Sequence, residues 1–138
     1  WLDRGIYDPS PEETMILGLS PGERVARIAR LRLSGDMPLA IERAALSAVT
    51  MPDPGAIASS LYAHLDKSGN RPVRAIQRIR AANLGEGDAR LLEIPAGAAA
   101  LHIERIAYLP SGKVVEFTRS LYRGDAYDFV AELTIGAN

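Results

Sequence analysis

Hydrophobic and polar residues alternate along several stretches of the chain in the way typical of β-strands, and turn residues separate these stretches. Two pairs of stretches lie close enough together to form hairpins, one around Ser34-Gly35-Asp36 and one around Ser111-Gly112. The pattern therefore predicts six strands, over residues 23–34, 37–48, 71–84, 98–109, 113–122 and 126–135.

Short helices are predicted between the strands. Ser10 followed by Pro11 and two acidic residues is typical of a helix start, and Gly18 is a natural stop. Apolar residues spaced by four predict an amphipathic helix over 56–69, and a third helix is expected over 85–94. Residues 1–10 are expected to be extended. Together these elements predict the α+β class, with a six-stranded, mainly antiparallel sheet and short flanking helices.

The chain contains an internal echo in which a helix, a glycine turn, a strand, a Ser-Gly turn and a second strand occur twice. This predicts a two-fold pseudo-repeat that builds one sheet, and a cleft between such halves is a natural ligand site. The matched positions are Gly22 and Gly97, Ile28 and Ile103, and Arg30 and Arg105, all offset by 75, together with Gly35 and Gly112, offset by 77.

Composition narrows the classes of function. The chain has 138 residues with 16 basic against 17 acidic side chains, a balance that disfavours direct nucleic-acid binding. Without cysteine, disulfides and thiolate metal sites are excluded, and two histidines are too few for a histidine cluster, so no metal or cofactor is expected. No apolar run reaches the roughly 18 residues of a membrane span. Without an initiator Met or signal-peptide chemistry, the chain is expected to be a fragment of a longer cytoplasmic protein.

Charged residues face each other across the first predicted hairpin. Arg30 and Arg32 share a strand face because side chains at i and i+2 point the same way. A three-residue loop over 35–37 places Glu42 opposite Arg30, whereas a two-residue loop places Ile41 there, and the sequence leaves this register open. The arginines then form either surface ion pairs, each worth under about 1 kcal/mol, or the wall of a pocket for carboxylate or phosphate.

A second polar face lies on the strand over 113–122. Polar residues at alternate positions are unusual for a central strand facing a core, so this face meets either water or a pocket. The polar positions are Glu116, Thr118, Ser120 and Tyr122, and the opposite positions are Val115, Phe117, Arg119 and Leu121.

A third polar cluster is the stretch "SSLY" at 59–62. Ser59 or Ser60 can cap the helix that follows, and the free N–H groups of a helix start attract anions. The alternative is a plain structural cap with Tyr62 half buried.

In order, the stretches "LGLSPGERVARIARLRLSGDMPLAIERAAL", "SLY" and "LLEIPAGAAALHIERIAYLPSGKVVEFTRSLYRGDAYDF" resemble the UTRA domain. UTRA is the effector-binding and dimerisation module of HutC-type GntR transcription regulators, and the resemblance covers residues 11–133 as the core of a single domain over 1–138. It implies a sheet similar to chorismate lyase, a ligand cleft, a homodimer and no enzymatic activity. It also implies that DNA is bound only by an N-terminal winged-helix domain that is absent from this chain.

The resemblance also implies roles for individual residues. Arg30 and Arg32 match the first-strand arginines that hold the anionic end of an effector, often a sugar phosphate. Arg119 has the opposite strand parity and is expected to be structural or at the dimer contact. The remaining matches are Glu42 after Pro38 in "P-x-x-x-E", Ser60 and Tyr62 of "SLY" at the anion site, and Glu116 and Tyr122 of "VEFTRSLY" facing the polar, non-phosphate part.

Two alternatives stay open beside the sensor. One is a chorismate lyase-like enzyme that uses Glu42, Glu116 and Tyr122 for acid–base work, although the chain has no evident nucleophile–base pair and no catalytic residue is assigned. The other is a dimerisation domain with a vestigial pocket. The start "WLDRGIYDPSPEE" matches the family's longer first strand poorly, so part of one pocket wall is expected to be missing or altered.

Overall fold

The computed structural model of the chain describes residues 1–128, 130 and 132–136. Six strands form one sheet in the order β1-β2-β3-β6-β5-β4, and each pair of neighbours is antiparallel. The predicted α+β class is thereby confirmed. The strands are β1 (Asp3–Tyr7), β2 (Val25–Ser34), β3 (Met37–Ser47), β4 (Arg74–Asn83), β5 (Ala99–Tyr108) and β6 (Val114–Arg123).

Three short helices flank the sheet: α1 (Pro11–Leu17), α2 (Leu61–Lys67) and α3 (Glu86–Leu92). The predicted helix over 56–69 is too long, because the chain becomes helical only after Ser60, whose side chain accepts a hydrogen bond from the Ala63 N–H. A 3-10 helix, Pro54–Ala56, precedes it. Ile57 has the spacing of a helix face but lies before α2, where it packs beside Leu61 and Leu65.

The predicted sixth strand over 126–135 is wrong for the part that the structure describes, since residues 126–128, 130 and 132–135 lie in no strand. Residues 129 and 131 lie outside the described residues. The sixth strand is instead β1, which pairs with β2 from Asp3 opposite Ala29 to Tyr7 opposite Val25. Alternating apolar residues predict an extended stretch but do not say whether a partner edge is available.

The pseudo-repeat is present in the topology. Each half runs strand, helix, strand, strand, with α2 between the halves, and the two halves meet where β3 pairs with β6. Arg43 lies opposite Arg119 at this junction. Helix α1 of the first half packs on β6 of the second, and α3 of the second half packs on β3 of the first. The ion pairs Glu12–Arg119 and Asp88–Arg43 join the same elements. Arg119 thus links the helix of one half to a strand of the other, which is the structural one of the two roles expected for it.

The first hairpin combines the two predicted registers. Its turn has two residues, Gly35 and Asp36, but the pairing shifts between Arg32 and Leu33, so that Arg30 lies opposite Glu42. A bulge thus gives the pairing expected from a three-residue loop.

A second irregularity changes which face Val115 occupies. The register of β5 and β6 shifts beside Tyr108, and Val115 packs in the apolar cluster under α2 with Leu46 and Leu65. The prediction that Val115 shares the face of Phe117 is wrong, because Phe117 belongs to the cluster under α1.

The start of α1 is fixed by a reciprocal cap. The Glu13 N–H donates to Ser10 Oγ over 3.1 Å, and the Ser10 N–H donates to Glu13 Oε1 over 2.8 Å. Arg27 on β2 donates to both carboxylate oxygens, over 2.9 and 2.7 Å. This bonding to Arg27 lowers the pKa of Glu13 below its ordinary value of 4.5.

We predict that Glu13→Gln lowers the free energy of unfolding at pH 7 by about 1–3 kcal/mol, because charge-assisted bonds to Arg27 are lost. A carboxyl with a depressed pKa stabilises the fold above its ordinary pKa and loses this effect as pH falls through the folded pKa. Urea unfolding should therefore show the difference from wild type shrinking below about pH 4.5. Glu86→Gln in the first turn of α3 is the control, and an equal loss at pH 7 and pH 3.5 would contradict the pairing.

Candidate functional site

A cavity of about 590 Å³ lies on the sheet face opposite α1 and α3. Strands β2, β3, β5 and β6 form its floor, and α2 with the loop before it forms one wall. This volume lies within the range typical of small-molecule sites. All seven residues predicted as ligand-binding line this cavity: Arg30, Arg32, Glu42, Ser60, Tyr62, Glu116 and Tyr122.

Glu42 is the centre of one polar group. The Arg30 guanidinium donates to Glu42 Oε2 over 3.0 Å, and Arg32 Nε lies 2.6 Å from Oε1. The Tyr122 hydroxyl makes a longer contact of 3.4 Å to Oε1. The other arm of Arg30 donates to the Ser59 carbonyl over 2.9 Å. Glu42 therefore orients both arginines. Of the two alternatives left open for the charged face of the first hairpin, surface ion pairs or a pocket wall, the structure shows the wall of a cavity.

Glu116 is the centre of the second group and is fully buried. Its Oε1 accepts a hydrogen bond of 2.7 Å from the Tyr62 hydroxyl. Its Oε2 accepts from Arg105 over 3.0 Å and from the Thr118 hydroxyl. Because a buried carboxyl group without hydrogen-bond partners is costly, these three side chains are what stabilise Glu116 in this position.

Both tyrosines keep their protons at neutral pH. Burial raises the pKa of Tyr62 to about 12, with a further contribution from its hydrogen bond to Glu116. Burial also raises the pKa of Tyr122, aided by the charge of Glu42. Each hydroxyl directs its one proton to a carboxylate, Tyr62 to Glu116 and Tyr122 to Glu42, and its oxygen can accept a hydrogen bond in the cavity.

Ser60 has a structural task at the cavity edge. Its hydroxyl oxygen accepts the Ala63 N–H over 3.2 Å and caps α2. The cap aims the first turn of α2, and with it Tyr62, at Glu116. Ser60 thus both caps α2 and lines the cavity, so the two alternatives hold together.

Several cavity residues were not predicted as site residues. Arg105 matched Arg30 in the internal echo, and Thr118 and Ser59 belonged to the polar stretches, so a signal existed for these three. Arg71 and Trp1 gave no signal, because an isolated arginine in a loop and an aromatic residue in an extended segment are common on surfaces. The cavity is lined by all five.

The charges in the cavity do not balance. Four arginine side chains line it against two carboxylates, leaving an excess of two positive charges. The described residues contain no group of three histidine, cysteine or acidic side chains placed to hold a metal ion. In the same part of the chain, no helix has the length and apolar character needed to cross a bilayer. The cavity is suited to an anion held by guanidinium groups.

This architecture, a pseudo-symmetric antiparallel sheet with a polar cavity on one face, is that of a small-molecule-binding domain. The UTRA domain family matches residues 1–128, so the chain belongs to this family. The match includes the first ten residues, of which Asp3–Tyr7 form β1 and Trp1 lines the cavity.

Individual relatives are regulators. The chain is 33% identical to the HTH-type transcriptional repressor NagR of Bacillus subtilis (strain 168) over 132 residues, 94% of the chain and 54% of that protein. It thus spans about half the length of this relative.

Solved structures agree with this assignment. A GntR-family transcriptional regulator from Enterococcus faecalis V583 has a TM-score of 0.88 at 29% identity, covering 96% of this chain and 97% of that one. The effector domain of PhnF from Mycobacterium smegmatis has a TM-score of 0.90 at 24% identity, covering 97% and 85%, and this supports the fold. The chain is thus an effector-binding domain of a GntR-family regulator, and the expectation of a regulatory rather than enzymatic domain is confirmed.

We predict that Tyr62→Phe lowers the free energy of unfolding by about 1–3 kcal/mol, because Glu116 Oε1 loses the donor it has in a buried position. The matched control is Tyr127→Phe. The Tyr127 ring stacks on Tyr122 at 4.3 Å between centroids, but its hydroxyl has no hydrogen bond among the described residues. Urea unfolding at pH 7 measures both variants, and an equal change in the two would contradict the role given to Tyr62.

Proposed function

We propose that the cavity binds a small anionic effector, with a sugar phosphate favoured, within a single ligand-binding domain over residues 1–138. The observation that carries this proposal is the excess of two positive charges in the cavity. A phosphate monoester carries about 1.5 to 2 negative charges at neutral pH and neutralises this excess.

The two polar groups suggest how such a ligand lies. The side chain of Arg32 is 53% exposed, and its Nε lies 2.6 Å from Glu42 Oε1, so this guanidinium is accessible to a phosphate. At the other end, the Tyr62 and Tyr122 hydroxyl oxygens offer acceptors to the polar part of the molecule. The phosphate is thus assigned to the Arg30 and Arg32 side.

Binding then acts on DNA through a winged-helix domain outside this chain, as in regulators of the HutC type. For this, the effector must bind one arrangement of the full-length regulator more tightly than another. Arg30, which Glu42 orients, offers a local route from the cavity to the rest of the domain. An anion that binds Arg30 also affects the loop before α2, because Arg30 donates to the Ser59 carbonyl.

We predict that the double variant Arg30→Ala/Arg32→Ala loses binding of phosphorylated ligands. It should also be less stable than wild type, because Glu42 keeps only its long contact to Tyr122. Adding Glu42→Gln should recover stability without recovering binding, which separates the two effects.

The control is Arg90→Ala/Lys113→Ala, which removes the same charge at two exposed positions away from both the cavity and β4. Calorimetric titration with a sugar phosphate measures affinity in all of these proteins. Unchanged affinity in the double variant, with or without Glu42→Gln, would contradict the assignment of the anion.

We also propose that the domain is a homodimer. Strand β4 is an edge of the sheet with free backbone groups, and it exposes 50% of Ile76, while Val73 just before it is 63% exposed. Exposed edges and apolar side chains of this kind are usually covered by a partner.

Sedimentation velocity at tens of micromolar should therefore give the mass of a dimer, with the fraction of dimer falling on dilution. A monomer throughout this concentration range would contradict the dimer proposal and leave the anion site untouched.

A further inference from the structure

Trp1 is the one tryptophan of the chain and lines the cavity. The Leu2 N–H donates to the Ala29 carbonyl over 2.8 Å, which extends the pairing of β1 with β2 up to this residue. The side of the cavity next to Arg30 is thereby closed by an aromatic ring that is still 48% exposed.

Two guanidinium groups hold this ring. That of Arg4 lies 4.4 Å from the ring centroid and that of Arg30 lies 5.4 Å from it, both within the range of cation–π attraction. Arg4 is itself fixed, because its guanidinium donates to the Gly55 and Ile57 carbonyls over 3.3 and 3.2 Å. The indole is therefore positioned by the loop before α2 and contacts the guanidinium assigned to the phosphate.

We propose that Trp1 is a ligand-contacting residue that selects effectors in which the anionic group is attached to a ring. The ring of the ligand lies against the exposed indole surface while the phosphate contacts Arg30 and Arg32. This inference rests on the proposed function, since it takes the anion to bind at the two arginines.

The chemistry favours a cyclic ligand over an open chain. An indole offers a broad, rigid surface at low entropic cost, and the flat C–H face of a sugar ring covers it with less loss of internal torsional freedom than an open chain. The cavity also carries polar groups, and the Tyr62 and Tyr122 hydroxyl oxygens and the Glu42 carboxylate can accept hydrogen bonds from the hydroxyl groups of such a ring. An open-chain phosphate satisfies the arginines but leaves the indole uncovered.

The test compares two cyclic phosphates, glucose 6-phosphate and ribose 5-phosphate, with the open-chain glycerol 3-phosphate. Calorimetry gives affinity, and because Trp1 is the sole tryptophan, its fluorescence reports directly on contact at this position. Trp1→Ala and Trp1→Phe are compared with Tyr108→Ala, which removes a ring that also stacks on a guanidinium, that of Arg74 at 4.0 Å, away from the cavity. Thermal unfolding confirms that each variant is folded.

We expect at least one cyclic phosphate to bind more tightly than glycerol 3-phosphate and to change the Trp1 emission. Trp1→Ala should weaken that cyclic ligand about tenfold and glycerol 3-phosphate by less than about twofold, whereas Trp1→Phe should retain most of the affinity. Tyr108→Ala should change neither.

Equal affinity of wild type for cyclic and open-chain phosphates, an unchanged cyclic affinity in Trp1→Ala, or the same loss for both kinds of ligand would overturn the role of Trp1 and leave the anion site standing. If wild type binds none of the three phosphates, the proposed function fails, and the inference about Trp1 fails with it.

Discussion

Two carboxylates on the two central strands, the fully buried Glu116 and the partly buried Glu42, set the organisation of the polar half of this domain. Glu116 is fully buried, and the Glu42 side chain is 12% exposed. Neither is stable there without several donors, so two arginines and a tyrosine surround one, and an arginine, a tyrosine and a threonine surround the other. Three of these six donors are arginines, and Arg71 adds a fourth guanidinium to the lining, so the cavity around the two carboxylates has excess positive charge.

The position of that cavity follows from the pseudo-repeat. Since α1 packs on β6 and α3 on β3, both repeated helices occupy the same face of the sheet and tie its halves together through Glu12–Arg119 and Asp88–Arg43. Among the residues that the structure describes, the helices on the opposite face are α2 and the short 3-10 helix, both from the segment between the repeats. One helix covers the apolar end of that face, and the polar end is left open to solvent and ligand.

Much of this could be predicted from sequence, for physical reasons that also explain the failures. Alternation of side chains fixed five strands and the face of Arg30 and Arg32, because these depend on local geometry. Alternation did not identify the sixth strand, which is β1 and not the predicted stretch in residues 126–135. Whether an extended stretch joins a sheet depends on which sheet edge is free, and alternation does not record this. The bulge that brings Glu42 opposite Arg30 has no local signature. The internal echo matched Arg105 with Arg30. Its role could not be predicted, because Arg105 donates to Glu116 and the burial of Glu116 does not follow from the spacing of hydrophobic residues.

The central claim is that the excess positive charge of the cavity binds a phosphate group. The most direct measurement is thermal unfolding of the chain with matched pairs of sugars, each with and without its phosphate, alongside amino-acid catabolites and fatty acids. A ligand at a hundred times its dissociation constant adds about 2.7 kcal/mol, which is readily detected. The account predicts stabilisation by a phosphorylated sugar and not by its unphosphorylated partner. Equal stabilisation by both members of a pair, or stabilisation only by an uncharged or fatty ligand, would contradict it.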